Sequence, residues 1–193
     1  MQKSTSLITT AHELLAKHLQ PGDIAIDATL GNGYDTLFLA QHVGPEGKVF
    51  GFDIQSAALQ STQEKCQRAQ LQERVRLIQD NHANMPQHIP DSLHGRINAI
   101  MFNLGYLPGG DKTIITQFDS TLIALNAAID LLSPTGMLTL VAYPGHQGGD
   151  QETEQVTHWC EQLNTAHFKV KIYYSAINKD SAPRLFVINK IQS

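Results

Sequence analysis

The stretch "DATLGNGYDTLFLA", Asp27 to Ala40, decides how this chain is read. An apolar run, "DIAID", leads into a glycine turn, and a helix-like run from Thr36 to Val43 leaves it, the order of a buried strand, a tight turn and a helix. Gly31 and Gly33 let the backbone curl and approach a ligand closely, and the helix start offers unpaired N–H groups. Turns of this kind usually cradle phosphate. This one carries Asp27 and Asp35, and no Lys or Arg lies between His18 and Gly47, so a pyrophosphate would be repelled. The third glycine of G-x-G-x-x-G is also missing, because Thr36 stands in its place.

Working outward from the turn, helix and strand patterns alternate along the 193 residues, with no repeat and no linker long enough to divide them, so one domain over 1–193 is expected. Leu7, Ala11, Leu14, Leu15 and Leu19 recur at helical spacing until Pro21-Gly22. "GKVFGFD" reads as a second strand ending at Asp53, Ser56 to about Ala69 as a helix, and "RVRLIQD" as a third strand ending at Asp80. "NHANMPQHIPDSLHG" reads as a loop before the strand "INAIMFN". A helix after Asp119 then carries Leu122, Leu125, Ile129 and Leu132 on one face. The strand "GMLTLVAY", a helix with Val156, Trp159, Cys160 and Leu163, and the strands "FKVKIYYS" and "RLFVINK" complete the pattern. Five strand-helix steps followed by two strands predict a seven-stranded, mostly parallel Rossmann-like α/β sheet closed by an antiparallel hairpin, with helices on both faces. That is the layout of a class I methyltransferase. Ligands of such sheets bind beyond the C-terminal strand ends, where Asp27, Asp53, Asp80, Asn103 and Tyr143 fall.

Composition narrows the partners. The formal charge of −4 argues against a surface that grips nucleic acid all over. The charge is uneven: Lys169, Lys171, Lys179, Arg184 and Lys190 face one acid, Asp180, giving +4 from Lys169 onward and −8 before it. A local basic face is therefore allowed, although Lys169 and Lys171 alone read as the solvated side of a strand. Neither a membrane span nor a secretion signal is indicated, so a cytoplasmic protein is expected. Cys66 and Cys160 stand apart without a metal-ligand pattern and read as buried thiols. The histidines form no compact ligand set, with His12 and His18 too widely spaced for adjacent turns, so no metal is expected.

S-adenosylmethionine fits the acidic turn better than a dinucleotide, because it carries an ammonium group and a sulfonium centre and no phosphate. Backbone N–H groups of the turn can hold its carboxylate while Asp27, directly or through water, faces the positive end. Asp53, twenty-two residues after Gly31, is suitably placed for the ribose hydroxyls, and Asp80, Asn81 and His82 would lie beside adenine. Thr29, Gly31, Asn32, Gly33, Asp35, Thr36, Ile54 and Asn103 complete the expected cofactor set.

Two further loops follow strand ends. "FNLGYLPGGDK", Phe102 to Lys112, resembles the Asn-Pro-Pro-Tyr loop of amino-group methyltransferases, with Leu-Gly in place of Pro-Pro. A nitrogen nucleophile needs its lone pair aimed at the methyl carbon, so acceptors for its N–H groups gain rate by orientation. Asn103 and the Leu104 carbonyl could supply them, and Tyr106 could stack on a base. "AYPGHQGGDQE" ends the fifth strand with Tyr143, Pro144, Gly145 and His146. The ring of Tyr143 could form a pocket wall and His146 could take a proton, or the segment is only a loop before a helix capped by Asp150. The expected substrate side is Tyr106, Pro108, Gly109, Asp111, Lys112, Tyr143, Pro144, Gly145, His146 and Arg184.

"AIDATLGNGYDTLFLA", "FNLGYLPGGDK", "VAYPGH" and "PRLFVINK" together resemble the "putative rRNA methylase" family, from about Thr10 to Lys190, with Tyr34 where many members carry His. The resemblance implies methyl transfer from S-adenosylmethionine to the amine of 5-aminomethyl-(2-thio)uridine at the wobble position of tRNA, without metal, and contact with the anticodon region. The family's older label would make ribosomal RNA the substrate. A nicotinamide-dependent oxidoreductase shares the alternating fold, and a non-catalytic RNA-binding module would keep the nucleoside pocket. Oligomeric state stays open, a homodimer among the alternatives.

Overall fold

The computed structural model describes residues 6–105, 118–145, 148–175 and 182–191. Helix α1, Leu7–His18, starts at Ser6, whose side chain accepts from the Thr9 N–H, and ends before Pro21-Gly22 as expected. Strand β1, Ile24–Asp27, runs into the glycine turn. Helix α2, Tyr34–His42, leaves the turn two residues earlier than the apolar pattern alone suggested. Its N-cap is Gly33 at φ +77°, a left-handed conformation that glycine adopts without penalty. A Cβ there would also lie 2.4 Å from Thr62 Oγ1, so the turn tolerates no side chain at this position.

Strand β2, Lys48–Asp53, helix α3, Ser56–Arg68, and strand β3, Val75–Gln79, continue the alternation. The segment read as a plain loop contains short helical pieces: 3-10 turns at His82–Asn84 and Asp91–Leu93 and a one-turn helix, α4, Met85–His88. The Asn81 side chain starts this run by accepting from the Ala83 N–H, a local turn device the apolar pattern could not reveal. Strand β4, Ile97–Asn103, precedes helix α5, Phe118–Leu131.

Leu132, expected on the helix face, instead opens strand β5, Leu132–Ala142, opposite Ile97, because the chain leaves the helix directly into the sheet. Helix α6, Gly149–Gln162, has Gly148 as its cap; Asp150 lies inside its first turn and accepts from the Gly145 N–H at 3.0 Å. Strands β6, Phe168–Tyr174, and β7, Arg184–Lys190, form the closing hairpin.

The sheet order is β3-β2-β1-β4-β5-β7-β6, parallel except for β7, which runs antiparallel to both neighbours. The expected seven-stranded Rossmann-like sheet is thus present. Alternate strand residues serve two cores. Ile26, Phe52, Phe102 and Leu140 pack with Met85, Leu125, Val156 and Trp159 on one face, while Ala25, Val49, Met101 and Val141 pack with Ala11, Leu15, Leu39 and Val43 on the other. Strand order reverses between β1 and β4, so the crevice above their C-terminal ends is where this topology places a ligand.

Candidate active site

Asp27 ends β1 and is fully buried. Both of its oxygens are engaged: Thr36 Oγ1 donates at 2.5 Å and the Thr29 N–H at 3.2 Å. It therefore braces the turn from beneath rather than presenting a free carboxylate to a ligand. Burial, and after it the nearby charge of Asp35, pushes its carboxyl up to about 7. Asp35, in the first turn of α2, is nearly buried and accepts a 2.7 Å hydrogen bond from His12 Nε2 of α1. The His12 ring stacks face to face on Phe38, centroids 3.9 Å apart. Sequence reasoning set His12 aside because it sought partners at helical spacing, whereas its partner lies 23 residues away on another helix.

The turn's other face holds Asp53, whose Oδ2 accepts from the Gly31 N–H at 3.0 Å and whose Oδ1 accepts from the Gln55 N–H at 2.9 Å. Ile54, beside it, is half exposed, an unusual setting for an isoleucine and suited to a flat apolar ligand face. Tyr34 projects outward with Lys65 Nζ, brought in by α3, 5.3 Å from its ring centroid. The helix thus carries a cation past the turn's rim that the local sequence did not show. Asn32 and Thr29 are half-buried at the turn.

Beyond β3, Asp80 is held below the usual carboxylate range by hydrogen bonds from His88, Asn84 and the Asn81 N–H, in that order of weight. His82 is buried, with Nδ1 3.2 Å from the Ala28 carbonyl, and its ring edge meets Phe102. Burial pulls its pKa down to about 4, so the ring is neutral at physiological pH. It supports the floor of the crevice more than it lines it.

At the end of β4 the Asn103 N–H donates to Thr29 Oγ1 at 2.7 Å, locking the two strand ends together. The Leu104 side chain is buried, and Gly105 follows at φ +140°, a conformation that frees the chain to turn away. Tyr143 is half-buried after β5; burial, and after it the charge of Asp35, pushes its phenol up to about 12 against the opposing influence of the nearby Asn103 side chain. It is a neutral hydroxyl at working pH. Antiparallel pairing sets Arg184 opposite both Ala142 and Tyr174, bringing this base to the ligand end of the sheet. Pro144 is buried and Gly145 exposed. Tyr106, Pro108, Gly109, Asp111, Lys112 and His146 lie outside the described residues.

Asp27, Asp35, Thr36, Asn103, Tyr143 and His12 thus converge on one side of the β1/β4 strand ends, with Asp53, Ile54 and Asp80 on the other. Among the described residues no group of His, Cys, Asp and Glu could hold a metal ion. The donor set suits a ligand with a cationic end, a diol and an apolar ring.

Comparison with known proteins supplies the family. The model of the family described as "Putative rRNA methylase" matches residues 49–190. The chain belongs to this family. Over 188 residues the methylase is 38% identical to the chloroplastic "tRNA (mnm(5)s(2)U34)-methyltransferase" of Arabidopsis thaliana, covering 93% of this chain and 68% of that one. Its fold superposes on a "putative rRNA-methylase" of Clostridium thermocellum with a TM-score of 0.92 and 38% identity, covering 98% of this chain and 100% of the other. A "putative methyltransferase" of Streptococcus mutans, solved in complex with SAH, matches with a TM-score of 0.86 and 34% identity over 97% of this chain and 99% of that chain. The methylase is an S-adenosylmethionine-dependent enzyme acting on RNA. No helix among the described residues is long and apolar enough to cross a membrane.

Proposed function

We propose that this methylase N-methylates the aminomethyl group of 5-aminomethyl-(2-thio)uridine at the wobble position of tRNA, giving the methylaminomethyl nucleoside. The observation that carries the reading is the 38% identity to the Arabidopsis thaliana enzyme over 93% of the chain. Asn103 and Tyr143, neutral polar side chains near one another at the end of the sheet, support it as acceptors for an amine. A cytoplasmic location and contact with the tRNA anticodon region go with it.

In this reading the N–H groups of Gly31 and Asn32 and the N-terminus of α2 hold the cofactor's carboxylate, the Gly33 N–H being taken by the Leu30 carbonyl at 2.8 Å, and Asp35 takes its ammonium. Asp53 exchanges its bond from the Gly31 N–H for the ribose hydroxyls. Ile54 covers adenine, with Asp80 and Asn81 at its edge. S-adenosylmethionine supplies an electrophilic methyl group whose bond to sulfur breaks as the new C–N bond forms, the electron pair returning to sulfur. The chain's own part is orientation. The Asn103 side-chain oxygen and the Leu104 carbonyl accept N–H bonds from the target amine and aim its lone pair along the line of departure. An aliphatic amine is largely protonated at neutral pH, so one proton leaves before attack and a second after it. Asn103 and Tyr143, both neutral, favour the uncharged amine over the ammonium. Arg184 and the exposed Lys169 and Lys171 of β6 meet RNA phosphates, and Tyr106 and Lys112 belong to the substrate side.

Purified protein, labelled cofactor and tRNA carrying the aminomethyl nucleoside test this directly, with nucleoside mass spectrometry as the readout. Labelled methylaminomethyluridine is expected. No product on that tRNA, with labelled product on undermodified ribosomal RNA, would overturn it.

A further inference from the structure

The site holds three carboxylates, Asp27, Asp35 and Asp53, close enough that the latter two raise the Asp27 pKa, and the turn between them contains no Lys or Arg. The titratable cationic partner that reaches this acidic cluster is an imidazole from the N-terminal helix: His12 Nε2 lies 2.7 Å from Asp35 Oδ1. An ionised carboxylate only accepts, so Nε2 carries the proton in this contact and the imidazole serves as donor whether neutral or charged. The ring cannot rotate freely. It is clamped parallel to Phe38, 1° from coplanar, and Phe38 in turn touches His42, whose Nδ1 is bonded to the Phe38 carbonyl at 2.7 Å. Three rings therefore form a ladder that holds one nitrogen against one oxygen.

α1 is itself fixed: Ala11 and Leu15, on either side of His12, are fully buried against the sheet, and His18 Nε2 lies 3.1 Å from the Asn98 carbonyl. His12, a quarter exposed, reaches from this helix to Asp35.

We propose that His12 is a positioning residue for the amino-acid end of the cofactor: by occupying Asp35 Oδ1 it fixes the carboxylate so that Oδ2 is aimed at the cofactor's ammonium. The inference rests on the reading that Asp35 binds that ammonium. It assigns α1, outside the segment matched by the family model, a part in cofactor recognition. Without the bond, Asp35 is free to rotate toward solvent or away from the ammonium, and the affinity it supplies is lost while the adenosine contacts of Asp53, Ile54 and Asp80 are untouched.

The test uses two probes, S-adenosylhomocysteine, which has the ammonium and carboxylate, and 5′-methylthioadenosine, which has neither. Titration calorimetry on the full chain compares His12→Phe, which keeps the stack on Phe38 and removes the donor, with His12→Asn, Asp35→Asn and the double variant His12→Phe/Asp35→Asn. His12→Phe should weaken S-adenosylhomocysteine about tenfold, the scale of one charge-assisted hydrogen bond, and leave 5′-methylthioadenosine within about twofold. His12→Asn, which retains an N–H donor, should recover part of the loss. The double variant should be no weaker than Asp35→Asn alone, because His12 acts only through Asp35. If Asp35→Asn leaves S-adenosylhomocysteine unchanged, the reading of Asp35 falls, and the inference with it. If Asp35→Asn weakens it but His12→Phe does not, or weakens both probes equally, only the positioning role is overturned.

Discussion

Replacing Asp27 with Asn should flatten the stability of this protein between about pH 5 and pH 8. The Asp27 carboxyl is raised from its ordinary value of 3.8 to about 7, chiefly because it is fully buried and next because Asp35 repels its charge. A carboxyl with a raised folded-state pKa binds its proton more tightly folded than unfolded. The stability this contributes is complete below the unfolded pKa and is lost as pH rises through the folded one. The slope is about 1.4 kcal/mol per pH unit between those two values and falls to zero above the folded one, so the native chain loses roughly 2 to 3 kcal/mol from this group from about pH 5 to about pH 7 and little more beyond. Asn at this position cannot titrate. It keeps an acceptor for Thr36 Oγ1 but turns an NH2 toward the Thr29 N–H, a donor-donor conflict that costs about 1 to 3 kcal/mol at every pH. The informative quantity is therefore the change with pH, not the offset. Urea denaturation of both proteins at matched pH values, with their difference plotted against pH, isolates it together with its coupling to Asp35 and Asp53, since the titrating groups distant from Asp27 cancel. The variant should gain about 2 to 3 kcal/mol on the native chain as pH rises. Parallel curves would refute the claim that Asp27 holds a proton in the folded state.

Other sites give sharper single outcomes. Gly33→Ala meets both a left-handed φ of +77° and the Thr62 side chain at 2.4 Å, and should cost roughly 2 kcal/mol or more by denaturant titration, with Thr62→Ala in the same chain recovering part of it. Asn103→Ala should lower kcat about a hundredfold with a smaller change in cofactor affinity, measured by methyl transfer and calorimetry in parallel, because it removes orientation of the nucleophile. Lys190 donates to the carbonyls of Ile129 and Leu132 at 3.0 and 2.9 Å, so Lys190→Met should destabilise by about 1 to 3 kcal/mol in thermal denaturation and leave RNA affinity unchanged. Arg184→Glu should do the reverse, weakening RNA binding and reducing its salt dependence in filter-binding assays.

These last two residues show where sequence reasoning ran short. Counted along the chain, Lys190 and Arg184 belong to the same basic C-terminal segment. In space, β7 carries Arg184 to the ligand end, while Lys190, six residues on, points its ammonium at the junction of α5 and β5, where it satisfies the carbonyls of Ile129 and Leu132. Charge counts cannot separate a solvated base from one that caps a helix. The β1-turn-α2 unit was legible because local rules act there together: a buried strand, a glycine that must adopt positive φ, and a helix start. The alternating faces of β1, β2, β4 and β5 were legible for the same reason. Leu132 was not, since it extends the apolar spacing of α5 but pairs with Ile97, a choice made by the sheet. His12 was missed because its meaning depends on a contact between two helices that only the packing of α1 across the sheet creates.

That contact changes how the acidic turn is understood. Placing Asp27, Asp35 and Asp53 together is unfavourable, and the charges of Asp35 and Asp53 add to the effect of burial in raising the Asp27 pKa. Two devices limit the repulsion: Asp27 takes up a proton near neutrality, and His12 donates to Asp35. A bound ligand with an ammonium group relieves the same repulsion more directly, since it adds a full positive charge where the chain supplies none from the turn itself. By linkage, such a ligand must lower the Asp27 pKa, and its affinity must rise as pH increases through about 7. A phosphate ligand would do the opposite on both counts. The pH dependence of S-adenosylhomocysteine affinity, followed below the ligand's own amine titration and compared with Asp27→Asn, therefore reads the sign of the charge that the site was built to receive. Affinity that falls between about pH 6 and pH 8 would contradict a cationic ligand end at this turn.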